Sequence, residues 1–259
     1  MDGQFLMTFA IAAGAAAASP LGGVLAIALP MSTLLLSLSV GMAGGILMGT
    51  LAFEMLPTAL ESVALGWVIA GFAIGFGLVY ALDLYVNRGA VAGPDADQRP
   101  RVDALHRRRK PRGTEVTVLA GATSAEELIE GLTIGVGAAI DVRLALVVGL
   151  AICIDNVSEA LSIGALARAE DGRNYRRRTM FWTGAIGLSL FVSCAAGWFA
   201  LRSLPPPVLA VLLATGGGAM FYLTVTDLLP DAEQRQYQQS SAIASGMGFL
   251  VAFALANFG

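Results

Sequence analysis

The feature that most restricts how this chain can fold is the segregation of its charge. Long apolar stretches follow one another, and most basic residues are gathered between them. A helix rises 1.5 Å per residue, so ~20 apolar residues cross the ~30 Å hydrocarbon core of a bilayer. Eight such runs occur, at roughly 4–28, 32–57, 63–86, 116–139, 142–166, 179–201, 207–229 and 238–258. Soluble domains carry about 25% charged residues, whereas this chain has 14%, with 56% hydrophobic residues among its 259. No soluble core of this size could bury so much apolar sequence. The expected fold is a single all-α, polytopic transmembrane domain of eight helices with internal repeats. The first run, Phe5 to Leu29, lacks a basic leader and is too long for a cleaved signal, so it reads as the first span.

Basic residues set the expected topology. Arg88, Arg99, Arg101, Arg107, Arg108, Arg109, Lys110 and Arg112 crowd the segment 88–112, and Arg168, Arg173, Arg176, Arg177 and Arg178 crowd 168–178. Two spans separate these segments, so both lie on one side, and the positive-inside rule makes that side cytoplasmic. Arg235 falls inside with them, Arg143 and Arg202 fall outside, and both termini are expected outside. Segment 88–112 reads as a flexible loop whose arginines report topology, and no nucleic-acid partner is expected. Gly45/Gly49, Gly71/Gly75 and Gly131/Gly135 read as helix-packing seams. Cys153 and Cys194 lie inside apolar runs, which argues against a disulfide framework.

Two pairs of segments echo each other. Residues 126–135 (EELIEGLTIG) resemble residues 155–164 (DNVSEALSIG), and Gly44, Glu54 and Pro57 are spaced as Gly217, Asp227 and Pro230. Repeats of this kind are common in secondary transporters. Glu126, Glu127, Glu130, Asp155 and Glu159 fall within the fourth and fifth runs. Each ionised carboxylate at the bilayer centre costs at least ~2.5–3.5 kcal/mol on insertion scales. No basic residue inside those runs compensates them, Arg143 lying at their junction. Protons or a bound cation must do so. Glu126 and Glu130 are four residues apart and share a helix face, as do Asp155 and Glu159, with Asn156 alongside. Facing each other, the two helices could surround one or two divalent ions with hard oxygen ligands.

At these residues the chain resembles the ZIP family of divalent metal transporters, with eight spans, a long loop after the third, and fourth and fifth helices of the form His-Asn-x-Pro-Glu-Gly. The matching segments here are 126–131 (EELIEG) and 155–160 (DNVSEA), and Gly49 to Glu61 and Gly217 to Asp231 resemble the second and seventh helices. The resemblance implies Glu130 and Glu159 as central ligands, Glu126 and Asp155 at positions usually held by His or another ligand, Glu127 and Asn156 as their neighbours, and Asp227 reaching in from the seventh helix. Glu54 holds the corresponding place on the second helix, either on the ion path or as an interfacial carboxylate before Pro57. The chain departs from the family in lacking any histidine within a span, His106 being its only one, and in placing Ile129 and Ser158 where the family has prolines. An all-oxygen site should be less selective for zinc and could favour manganese or iron.

The expected function is therefore import of a divalent metal, most readily zinc, as a substrate; no resident cofactor and no enzymatic activity are expected. Expected surroundings are a bacterial inner membrane and its lipid, with a homodimer as a candidate assembly. A proton- or sodium-coupled carrier of another solute, using the same acids as a relay, is the alternative. A membrane metalloenzyme would need a general base and a substrate cleft that no motif here supplies. Thr133 and Ser162, one turn after Glu130 and Glu159, either orient those carboxylates or bond back to their own helices. Cys153 could line the path or be packed, Met48, Met55 and Met220 read as core, and Asp83 as interfacial.

Overall fold

The computed structural model describes residues 3–29, 32–86, 115–170, 172–234 and 237–257. The expected loop 88–112, with His106, and Arg235 lie outside the described residues. Among the described residues every regular element is helical: α1 (Gly3–Ala28), α2 (Thr33–Ser62), α3 (Leu65–Val86), α4 (Glu115–Ile140), α5 (Val142–Glu170), α6 (Tyr175–Leu201), α7 (Pro206–Glu233) and α8 (Gln238–Asn257). Seven of these are long and apolar enough to cross a membrane. The other, α4, has the length at 26 residues, about 39 Å, and is the helix that carries Glu126, Glu127 and Glu130. Large apolar side chains face outward on α3, α6 and α8, among them Leu78, Phe181 and Leu250, as suits contact with lipid.

Hydrogen bonds between helices fix which ends meet. At one end Arg168 Nη2 donates to the Ala26 and Ile27 carbonyls at 2.8 and 3.0 Å, Ser37 Oγ donates to the Ala232 carbonyl at 2.6 Å, and Arg178 Nη1 bonds Glu170 Oε2 at 2.9 Å. This is the basic end. At the other, Gln4 Nε2 donates to the Ala138 carbonyl at 2.9 Å and Arg143 Nη2 to that of Ala256 at 2.9 Å. Successive helices therefore alternate in direction.

The packing has an internal two-fold pattern. Helix α1 lies along α5 as α6 lies along α4; α8 lies along α2 as α3 lies along α7; and α2 touches α5 as α7 touches α4. Helices α1, α2, α3 and α4 thus correspond to α6, α7, α8 and α5, each pair running in opposite directions. The expected glycine seams lie on these contacts. A Cβ on Gly75 or Gly45 would strike the carbonyl oxygen of Thr215 or Ser245, so α3 meets α7, and α2 meets α8, at backbone distance. Proline adds a further close approach. Pro20, inside α1, cannot donate to Ala16 four residues earlier, and Gly187 of α6 fits against that carbonyl, where a Cβ would collide.

The repeat centred on Glu54 and Asp227 has a structural counterpart. In α2 the Leu56 N–H bonds the Leu51 carbonyl, five residues back; in α7 the Leu229 N–H bonds that of Thr224. Each widened turn precedes a proline, Pro57 or Pro230, whose missing donor already breaks the regular ladder. The acid sits fourth in each turn. Helices α4 and α5, which lack the family prolines, run without such interruption over Glu115–Ile140 and Val142–Glu170.

Candidate metal centre

Asp141 alone joins α4 to α5, so the two helices pack as an antiparallel pair. Counting from their ends, Glu126 lies 11 residues into α4 and Asp155 13 residues into α5, about 17–20 Å deep. That is near the midpoint of each helix. There Glu126, Asp155 and Glu159 each present a carboxylate oxygen, and the three oxygens lie within 4.8 Å of one another. Asp155 is buried, and Glu126 and Glu159 are partly buried.

The remaining predicted residues surround this triad unequally. Glu127 and Glu130 are buried at 1% and 2% exposure, and both are close enough to Asp155 for their charges to interact. Glu130, which the family resemblance makes a central ligand, is not one of the three clustered residues. Asn156 is fully buried; its Nδ2 donates to the Ala15 carbonyl of α1 at 3.2 Å, which leaves Oδ1 without a partner. Asp227, exposed on the widened turn of α7, accepts from Thr226 Oγ1 at 3.4 Å and acts electrostatically on Glu126. Glu54 stands apart, toward the end opposite the basic turns, 4.0 Å from Arg143 Nη2.

Neighbouring helices hold the cluster in place. Ser193 of α6 donates to the Glu127 carbonyl at 3.1 Å, and Gly131 lets α6 approach, since a Cβ there would strike Ser193. Gly22 of α1 plays the same part against Ala160. Ser158 Oγ donates to the Ser39 carbonyl of α2 at 3.1 Å. Thr133 Oγ1 bonds back to the Ile129 carbonyl at 2.8 Å, the local bond rather than an orienting one. Cys153 and Cys194 are free thiols, and Met55 and Met220 are buried in the core.

Among the described residues none of the five central carboxylates has an arginine or lysine partner. Three buried oxygens, Glu127 Oε2, Asp155 Oδ1 and Asn156 Oδ1, accept no hydrogen bond. Buried polar oxygens left this way are costly, the two carboxylate ones most of all, and a convergent hard-oxygen set is suited to a divalent cation. A sequence model of the ZIP zinc transporter family matches residues 95–256, more than half the chain. The chain belongs to the ZIP family. The zinc transporters ZupT of Salmonella heidelberg (strain SL476), Salmonella paratyphi A (strain ATCC 9150 / SARB42) and Salmonella newport (strain SL254) are each 28% identical over 211 residues, covering 78% of this chain and 77% of theirs. As a ZIP protein the chain is an integral membrane transporter of divalent metal. The sequence reading gave Arg143 no partner, although Arg143 and Glu54 both fall near the same expected membrane face.

Proposed function

We propose that this protein carries zinc, or a comparable ion such as manganese or iron, into the cytoplasm through the carboxylate cluster between α4 and α5. The observation that carries the reading is the mid-helix convergence of Glu126, Asp155 and Glu159 within 4.8 Å, uncompensated by any described cationic side chain. Glu127, Glu130 and Asn156 complete the oxygen-rich surroundings. The absence of histidine and thiolate from the cluster favours harder ions more than a typical zinc site would.

The orientation follows from charge: thirteen of the 16 basic residues lie in segments 88–112 and 168–178, which the positive-inside rule places in the cytoplasm of a bacterial cell. Glu54 then lies near the outer face and Asp227 near the inner one, with the triad between them. The ion exchanges hydration for carboxylate oxygens at the triad, and Asp227 receives it on the inner side. Proteoliposomes containing the protein should take up zinc down an imposed zinc gradient, and Glu159→Gln should abolish that uptake. Unchanged uptake by that variant would refute the site, and absence of metal binding by the purified protein would favour a proton- or sodium-coupled carrier instead.

A further inference from the structure

At the end opposite the basic turns, a second group of charges stands apart from the triad. Asp141 Oδ1 accepts the backbone N–H of Arg143 at 3.0 Å, which caps the first turn of α5 and fixes where Arg143 projects. Its guanidinium reaches two other helices. Nη2 donates to the Ala256 carbonyl in the last turn of α8 at 2.9 Å and stands 4.0 Å from Glu54 Oε1 on α2. That oxygen is buried and accepts no hydrogen bond. The carboxylate side chain is 11% exposed and the arginine side chain 44%, so the acid is the enclosed partner and the cation the one open to solvent.

This pair is loose. Charge-assisted N–H···O bonds run at about 2.7–2.9 Å, and the nitrogen here spends its short bond on Ala256. The other charge acting on Glu54 is that of Asp141. An arginine keeps its charge at any working pH, so Glu54 always has a tethered +1 ion beside it. The carbonyl end of α8 anchors that ion at the negative end of a helix dipole.

We propose that Arg143 is a tethered counter-cation at the outer mouth, anchored on the Ala256 carbonyl and neutralising Glu54 until a divalent ion takes its place beside that carboxylate. A monovalent ion carries no more charge than the arginine and lacks the tether, so it competes poorly; a divalent ion carries twice the charge. Arg143 thereby raises the KM for metal and selects by charge before the triad is reached. The proposal rests on the uptake reading above.

Initial zinc uptake rates in proteoliposomes test it, with sodium and potassium as competitors. Arg143→Gln should lower the KM for zinc about fivefold, the upper range for a partly exposed ion pair, and make uptake sensitive to monovalent salt. Arg143→Lys should retain the wild-type KM, and Arg143→Met, which keeps an aliphatic stem, is a second neutral variant. In a Glu54→Gln background the Arg143→Gln change should have no further effect. Equilibrium zinc binding at the triad should be unchanged in Arg143→Gln. An unchanged or raised KM in both neutral variants overturns the proposal, as does the same fivefold shift in the Glu54→Gln background. Wild-type uptake with indifferent Arg143 variants defeats this proposal alone, whereas a wild type that takes up no metal defeats the uptake reading and this proposal with it.

Discussion

Replacing Glu159 by glutamine keeps the side chain's shape and removes its charge, which makes it the cleanest perturbation of the triad. Three oxygens no more than 4.8 Å apart lie within about 2.8 Å of a common centre, that limit divided by √3. Zinc–carboxylate bonds are about 2.0–2.2 Å, so each oxygen needs to move inward by no more than roughly 0.6–0.8 Å, within the reach of side-chain torsions. At an effective dielectric constant near 20, a divalent ion at about 2.8 Å attracts each carboxylate by about 12 kcal/mol, and two carboxylates about 4.8 Å apart repel by about 3.5 kcal/mol. The repulsions act with and without the ion and cancel in the affinity difference, so glutamine forfeits one such attraction, about 12 kcal/mol at most, of which its amide oxygen as a neutral ligand and the cheaper desolvation of two rather than three anions recover most. Zinc affinity should therefore fall by about 10²–10³. Competition titration against a fluorescent chelator in detergent measures this directly. Glu126→Gln and Asp155→Asn should behave alike, Glu130→Gln, outside the cluster, should lose about 10–100-fold, and Glu61→Gln, exposed near the end of α2, should match wild type. Affinities within about threefold of wild type for all three triad variants would refute the reasoning.

Thr133→Val should leave zinc affinity within about twofold, because the hydroxyl is spent on its own helix; a tenfold loss in the same titration would show that it reaches the site. Tyr222→Phe removes the hydroxyl that donates to Asp83 Oδ2 at 2.7 Å, joining α3 to α7. The cost should be about 1.5–3 kcal/mol, seen as a lowered Tm in detergent, and an unmoved Tm would contradict it. Gly75→Leu should destabilise the fold by about 1–3 kcal/mol or more, since its Cβ meets the Thr215 carbonyl, whereas Gly77→Leu has open space and should fold normally; equal yields and melting temperatures for the two would refute the seam.

The eight-helix fold was legible because charge segregation and run length depend only on local composition. The Gly–acid–Pro repeat was legible too, but not the widened turns it produces. Pro57 and Pro230 announce a missing donor, yet how the chain restores the ladder depends on bonds five residues apart, Leu56 to Leu51 and Leu229 to Thr224. The acids were legible as a group and their grouping was not. Four-residue spacing places Glu126 with Glu130, and Asp155 with Glu159, while the cluster takes both acids of α5 and only Glu126 of α4. Periodicity defines a face but not how far a helix is turned about its axis. That rotation is set by third helices: α6 against Gly131, with Ser193 bonding the Glu127 carbonyl, and α1 through its Gly22 against Ala160. None of those contacts is local in sequence.

The inverted repeat bears on transport because related positions end up at opposite ends with unequal partners. Glu54 and Asp227 hold the same place in their widened turns, yet Glu54 faces Arg143, while Asp227 takes a hydrogen bond from Thr226 and acts on Glu126 of the triad. One backbone device therefore serves two electrostatic settings. On the uptake reading, an ion meets a carboxylate already screened by a cation on one side and leaves toward one that adds negative charge to the site on the other. Such a path is biased at equilibrium against outer occupancy, and net inward movement then requires the cell to keep free metal low in the cytoplasm or to couple another gradient. Proteoliposomes without any imposed gradient but zinc should consequently equilibrate rather than concentrate the ion. Accumulation of free zinc above the external level in that setting would refute transport driven by the zinc gradient alone.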